Sequence, residues 1–226
     1  MSKHSLDIWL GRLAASPADL PFYRSLLDRE ERVRAQRIRI PQRQDYYAET
    51  HARLRLLLSE TVNAAPTQLR FSRNAHGKPF LADFPDVAFN LSHTADRLAI
   101  AVVRRCRLGI DIETCKPRTN LSALAAKCFG AEEMAYWQSL PETERLAAFY
   151  YFWTRKEAFV KAVGQGISLG LQHCVINPAH PTGMLHIPAS CGASGDWSLH
   201  DLDIGDGVLG AVAVDGPIAA MTVRTL

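Results

Sequence analysis

The sequence predicts an α+β fold built from two similar α/β lobes, with a site at the seam between them. Three observations carry this expectation. A long helical stretch followed by paired strands occurs twice along the chain. "TADRLAIAVV" (Thr94–Val103) and "IGDGVLGAVAV" (Ile204–Val214) both open on a Gly/Asp/Arg turn and run into an alternating small-apolar strand. No Pro/Gly/Ser linker divides the halves, so lobes of residues 1–105 and 106–226 pack directly, the C-terminal strand packing across both. Such seams are where ligands bind.

The elements follow in order. "DIWLGRL" alternates and reads as the first strand. Helical spacing covers Pro21–Arg39 and Asp45–Val62, and "LRFS" is a short strand ended by the turn signals of "NAHGKPF". "VAFNLSH", "LAIAVVR" and "LGIDIE" complete the strands of this stretch. In the second half, helices over Leu121–Phe129, Ala131–Leu140 and Glu144–Val163 precede strands near "HCVINP", "WSLHDL" and "VLGAVAV".

Composition narrows the classes of function. A chain of 226 residues with 47% hydrophobic content fills one large core or two small ones. The opening "MSKHSLDIWLGRL" has no apolar leader core, and the longest aliphatic run, "LAIAVV", is far too short to span a bilayer. A cytoplasmic protein with no membrane contact is expected. Cys106, Cys115, Cys128, Cys174 and Cys191 show no C-x-x-C spacing, which fits reduced thiols. A net charge of +3 is too mild to predict nucleic acid as a partner. Arginines nevertheless crowd "DREERVRAQRIRIPQRQ" (Asp28–Gln44), which reads equally as a solvated helix or as a surface for an anionic partner.

Two motifs carry chemistry. In "GIDIE" (Gly109–Glu113) strict alternation puts Ile110 and Ile112 on one side of a strand and Asp111 and Glu113 on the other. Paired carboxylates repel unless a cation joins them, and Mg²⁺ takes a few hard oxygen ligands from protein and the rest from water and phosphate. In "FYYFWTRKEAFVKAVGQGIS" (Phe149–Ser168), Trp153, Glu157 and Lys161 share one helical stripe, so Glu157 can supply a third carboxylate. On a solvated face the same Glu157/Lys161 spacing would be a weak ion pair of about 0.2–0.5 kcal/mol. Ser92 and His93 at a strand end, and Lys78 after a glycine turn, add groups suited to a diphosphate.

"GKPF", "FNLSHT", "GIDIE" and "FWTRKEAFVKAVGQGI", in this order and spacing, resemble the motifs of the 4′-phosphopantetheinyl transferase superfamily, of the surfactin-synthetase-activating (Sfp) type. The resemblance is strong over Gly77–Ser168. It implies a monomer of two lobes in pseudo-twofold arrangement with the active site at the seam. It also implies transfer of the phosphopantetheine arm of coenzyme A to a serine of an apo acyl or peptidyl carrier protein, with release of 3′,5′-ADP. Carried over residue by residue, Asp111, Glu113 and Glu157 would hold Mg²⁺, with Mn²⁺ as a substitute. Lys78, Pro79, Ser92, His93, Lys156 and Lys161 would meet the coenzyme. Glu157, or a metal-bound water held by Glu113, would take the serine proton, and Glu113 and Lys161 would complete the catalytic set. Where relatives carry an arginine for the 3′-phosphate this chain has Tyr46, leaving Arg43 and Arg53 as substitutes.

Two other classes compete. Glu113-Thr-Cys-Lys116 contains the E-x-K of a metal-dependent nuclease or phosphodiesterase, although Asp111 sits too near Glu113 for that pattern. A non-catalytic coenzyme A or carrier-binding module would have no need of three acids.

Overall fold

The computed structural model describes residues 4–226. The first half runs β1 (His4–Arg12), α1 (Leu20–Leu26), α2 (Arg29–Gln36), α3 (Pro41–Val62), β2 (Phe71–Arg73), β3 (Pro79–Leu81), β4 (Val87–Thr94) and β5 (Arg97–Arg104). The second runs β6 (Leu108–Thr114), α4 (Leu121–Cys128), α5 (Ala131–Ser139), α6 (Glu142–Val163), β7 (Val175–Ile176), β8 (Met184–His186), β9 (Trp197–Asp203), β10 (Val208–Asp215) and β11 (Ile218–Thr225). The fold is α+β, as expected.

Local chemistry corrects two helix boundaries. The single helix expected over Pro21–Arg39 is two. Asp28 accepts from the Glu31 amide at 2.9 Å while Glu31 accepts from the Asp28 amide at 3.0 Å, and this capping box starts α2 inside the periodic run. Helix α3 begins at Pro41 rather than Asp45, because proline suits a first turn whose amides have no helical partner. The "NAHGKPF" turn also leads into a strand, β3, which pairs with β2 as a small hairpin.

Two main sheets lie between two long helices. The first has the order β11-β1-β5-β4 and the second β6-β10-β9. Leu6, Ile8, Ala99, Ala101 and Val103 of the first meet Leu108, Ile110, Ile112, Val212 and Val214 of the second in one buried cluster. Leu54 and Leu58 of α3 cover the outer side of the first sheet, against Phe89, Ile100 and Val102. Phe159 of α6 covers the outer side of the second, with Leu199, Ala211 and Ala213. Strand β11 returns to the first sheet and pairs parallel with β1, tying the end of the chain to its beginning.

The approach of α6 to β6 is unusually close and rests on one residue. A Cβ at Gly109 would collide with the Ala158 carbonyl and the Ala162 amide of α6, so only glycine lets the helix settle there. Asp111 and Glu113 share that side of β6 and are thereby turned toward α6.

Candidate active site

Strands β4 and β6 are the facing edges of the two sheets, and side chains join them where a backbone ladder would otherwise run. Asn90 Oδ1 accepts from the Ile110 amide at 2.8 Å, Ser92 Oγ from the Ile112 amide at 3.2 Å, and Thr94 Oγ1 from the Thr114 amide at 3.2 Å. Residues two apart on β4 thus cap amides two apart on β6. An open edge is satisfied and the acid-bearing strand is held in register against the first sheet.

The stripe on α6 faces this strand. Lys161 Nζ donates to Asp111 Oδ1 at 2.7 Å, and to Ser92 Oγ and the Ile110 carbonyl at 3.2 Å each. The Ser92 hydroxyl donates to Asp111 Oδ1 at 3.0 Å. Asp111 Oδ2 is buried and has no hydrogen-bond partner. Glu157 and Glu113 are half-buried and lie close enough to Asp111 for its charge to act on both. The buried indole N–H of Trp153 lies near Glu113 and has no hydrogen-bond partner.

Electrostatics reflect this crowding. Burial, then the neighbouring carboxylates, pushes Glu113 and Glu157 above the usual carboxylate range. Burial does the same to Asp111, against the pull of Lys161 and Ser92. Among the described residues, no group of three or more His, Cys, Asp or Glu side chains stands placed to hold a metal ion. The donor set still fits a hard dication. Lys161 pairs with Asp111 alone while its charge reaches Glu113 and Glu157, and one buried carboxylate oxygen of Asp111 lacks any partner.

Beyond Ser92 lies a cavity of about 560 Å³ between α3 and β4, lined by Ile38, Arg43, Tyr46, Tyr47, Thr50, His51, Leu91, His93 and Ala95. His93 sits at this wall, its imidazole held below the ordinary value by desolvation and then by Lys161 and neighbouring groups that include Arg43. Arg43 is exposed at the rim. Pro79 borders an adjoining cavity of about 330 Å³, and His51 borders both.

Three of the expected coenzyme contacts stand elsewhere. Lys156 Nζ is fully buried, paired to Glu133 at 2.6 Å and donating to the Leu171 and Cys174 carbonyls, so it braces the core between α5 and α6. It follows Trp153 by three residues where Glu157 follows by four, and that step turns it away from the seam. Lys78 Nζ donates to the carbonyls of Leu108 at 2.9 Å and Ala162 at 2.8 Å, and burial lowers its pKa to about 8. Leu108 is three residues from Asp111, about 10 Å along the strand. Arg53 is held by Glu49 at 2.7 Å. Asn90 and Thr94 were missed, though the alternation N-x-S-x-T in "FNLSHT" places all three polar side chains on one face.

Known proteins resemble this chain along nearly all of it. Residues 107–213 match the family model described as the 4′-phosphopantetheinyl transferase superfamily, and residues 13–104 match the one described as 4′-phosphopantetheinyl transferase, N-terminal. The 4′-phosphopantetheinyl transferase HetI of a Nostoc species is 32% identical over 215 residues, 93% of this chain and 88% of that protein. The 4′-phosphopantetheinyl transferase Sfp of Bacillus subtilis is 32% identical over 134 residues, 59% of this chain and 58% of its own. The 4′-phosphopantetheinyl transferase AcpT of Salmonella typhimurium is 36% identical over 110 residues, 49% of this chain and 56% of its own.

Proposed function

This chain belongs to the 4′-phosphopantetheinyl transferase superfamily, and on that premise we propose that it is an Sfp-type enzyme moving the phosphopantetheine arm of coenzyme A to a serine of an apo acyl or peptidyl carrier protein. The observation that supports this most is the convergence of Asp111 and Glu113 from β6 with Glu157 from α6, beside Lys161 and a cavity that carries Arg43 and His93.

Asp111, Glu113 and Glu157 would hold Mg²⁺, or Mn²⁺ in its place. When bound, that ion neutralises charge developing on the pyrophosphate oxygens. Lys161 is anchored by Asp111 and Ser92, so its ammonium is aimed without needing to reorder, and it stabilises the same charge. Arg43 and His93 would receive the 3′-phosphate from the first lobe's side. The serine Oγ forms a bond to the β-phosphorus as the bond to the leaving 3′,5′-ADP breaks, and the serine proton passes to Glu157. A carboxylate whose pKa is raised by burial holds that proton better than an exposed one. We take the working enzyme to be a cytoplasmic monomer.

Intact mass measurement of apo-carrier proteins incubated with this protein, coenzyme A and Mg²⁺ tests the proposal. The expected result is a gain of one phosphopantetheine, lost in excess chelator. Cleavage of DNA or RNA under these conditions, with no carrier modified, would establish the nuclease reading instead.

A further inference from the structure

Lys78, expected at the coenzyme, has its amine committed elsewhere, and the turn that carries it grips the end of α6. A helix leaves its last four carbonyls without partners of its own, and their partial negative charge favours a cation. Here the turn between β2 and β3 provides a cation and an amide. Lys78 Nζ donates to the Ala162 carbonyl at 2.8 Å, and Asn74 Nδ2 to the Gly164 carbonyl at 3.0 Å. The same ammonium donates to the Leu108 carbonyl of β6 at 2.9 Å, so it bridges helix and strand. It does so at their closest approach, since the Ala162 amide would lie 2.4 Å from a Cβ at Gly109. Gly164, at φ +75°, leaves room for the grip: a Cβ there would come within 2.8 Å of Lys78 Cδ and 3.2 Å of Asn74 Nδ2.

The turn is also closed on itself. Asn74 Oδ1 accepts from the His76 and Lys78 amides at 2.9 Å each, and the Asn74 amide donates to the Lys78 carbonyl at 3.0 Å. Side chains anchored on such a turn set the position of what they hold. Ala162 adjoins Lys161, whose amine lies 2.7 Å from Asp111, and Glu157 stands one turn before Lys161 on the same stripe. We propose that Asn74 and Lys78 are positioning residues: by holding the end of α6 against β6 they keep Glu157 and Lys161 in register with Asp111 and Glu113. Their part in phosphopantetheine transfer rests on the transferase reading; their grip on α6 does not. Two of the three ammonium protons of Lys78 are already taken, so direct contact with a coenzyme phosphate would require it to leave both carbonyls.

Lys78→Met and Asn74→Asp test this, singly and together. Aspartate keeps the oxygen that the turn's own amides need and loses the donor to Gly164. Asn74 is exposed, so this variant carries the test even if Lys78→Met fails to fold. In single-turnover transfer at saturating coenzyme A and Mg²⁺, each folded single variant should be about tenfold or more slower than the wild type. The Kd for coenzyme A should stay within about twofold of the wild-type value, because neither side chain touches the substrate. The double variant should be no more than about twofold slower than the slower single one, since both residues act on one helix end. A raised Kd with an unchanged rate at saturation makes Lys78 a coenzyme contact and overturns the proposal, as do losses that multiply in the double variant. Hydrogen–deuterium exchange reads the grip without catalysis. Amides of residues 160–164 should exchange about tenfold faster in either variant, with those of α4 and α5 unchanged. Unaltered exchange at the end of α6 sinks the assignment even if the variants are slow. If exchange responds as expected while the wild type modifies no carrier, the transferase reading fails and the grip on α6 stands.

Discussion

Replacing Lys161 with methionine removes the amine that lies 2.7 Å from Asp111, and the consequence can be worked from the contacts. Asp111 is 5% exposed, so water cannot take the place of the lost ammonium. Removing one partner of a buried ion pair costs about 3–5 kcal/mol. The Lys161 side chain is 30% exposed, which puts the expectation at the low end, about 3 kcal/mol. For a chain of 226 residues, about 2–4 °C accompanies each kcal/mol, so the metal-free variant should melt roughly 6–12 °C below the wild type. The loss has a pH signature. A carboxyl whose folded pKa is raised contributes stability that is full below its unfolded pKa and disappears as pH rises through the folded one. Asp111 is such a group, raised from 3.8 by burial, and Lys161 is the largest influence lowering it. Without the lysine that window extends upward. The deficit should therefore be small near about pH 4 and full near about pH 8. Mn²⁺ should restore more melting temperature to the variant than it adds to the wild type, because it supplies positive charge where the ammonium is missing. Thermal melts at the two pH values, with and without Mn²⁺, measure all of this. Identical melting of variant and wild type throughout would refute the arrangement of Asp111 and Lys161 argued above.

Two further substitutions separate structural from chemical roles. Lys156→Met breaks a fully buried pair with Glu133 and should lower stability by about 3–5 kcal/mol in urea unfolding, with the KM for coenzyme A of the remaining folded enzyme unchanged. A raised KM in a protein of normal stability would return Lys156 to phosphate binding. Thr94→Val removes the acceptor that caps the Thr114 amide, and should lower kcat about tenfold through a displaced β6 with the melting temperature little altered. Thr94→Ser should restore the rate, and an unimpaired Thr94→Val enzyme would show that the cap sets no geometry.

Much of the site was legible in the letters because it depends on short periods. The two-residue alternation of "GIDIE" and the four-residue spacing from Trp153 through Glu157 to Lys161 each dictate a face, and the faces meet. Other features depend on tertiary contacts that local pattern does not encode. Nothing local says that the lysine beside Glu157 finds Glu133 on another helix. Nor does the glycine turn before Lys78 reveal that its amine reaches carbonyls of β6 and α6. The split of the first helix was readable, since the Asp28–Glu31 box is a local signal, but helical periodicity on both sides concealed it. Strand β11, largely exposed and lacking a buried alternating face, gives little periodic signal of its own.

The central proposal is that Glu157 stands with Asp111 and Glu113 and takes part in the chemical step. Glu157→Gln keeps the size and most of the hydrogen bonding of the side chain while removing its charge and its capacity to accept a proton. Single-turnover transfer to an apo-carrier, at saturating coenzyme A and Mg²⁺, measures the step directly. A folded Glu157→Gln protein should transfer at least about a hundredfold more slowly than the wild type. Transfer at a near-wild-type rate by that folded variant would contradict the account.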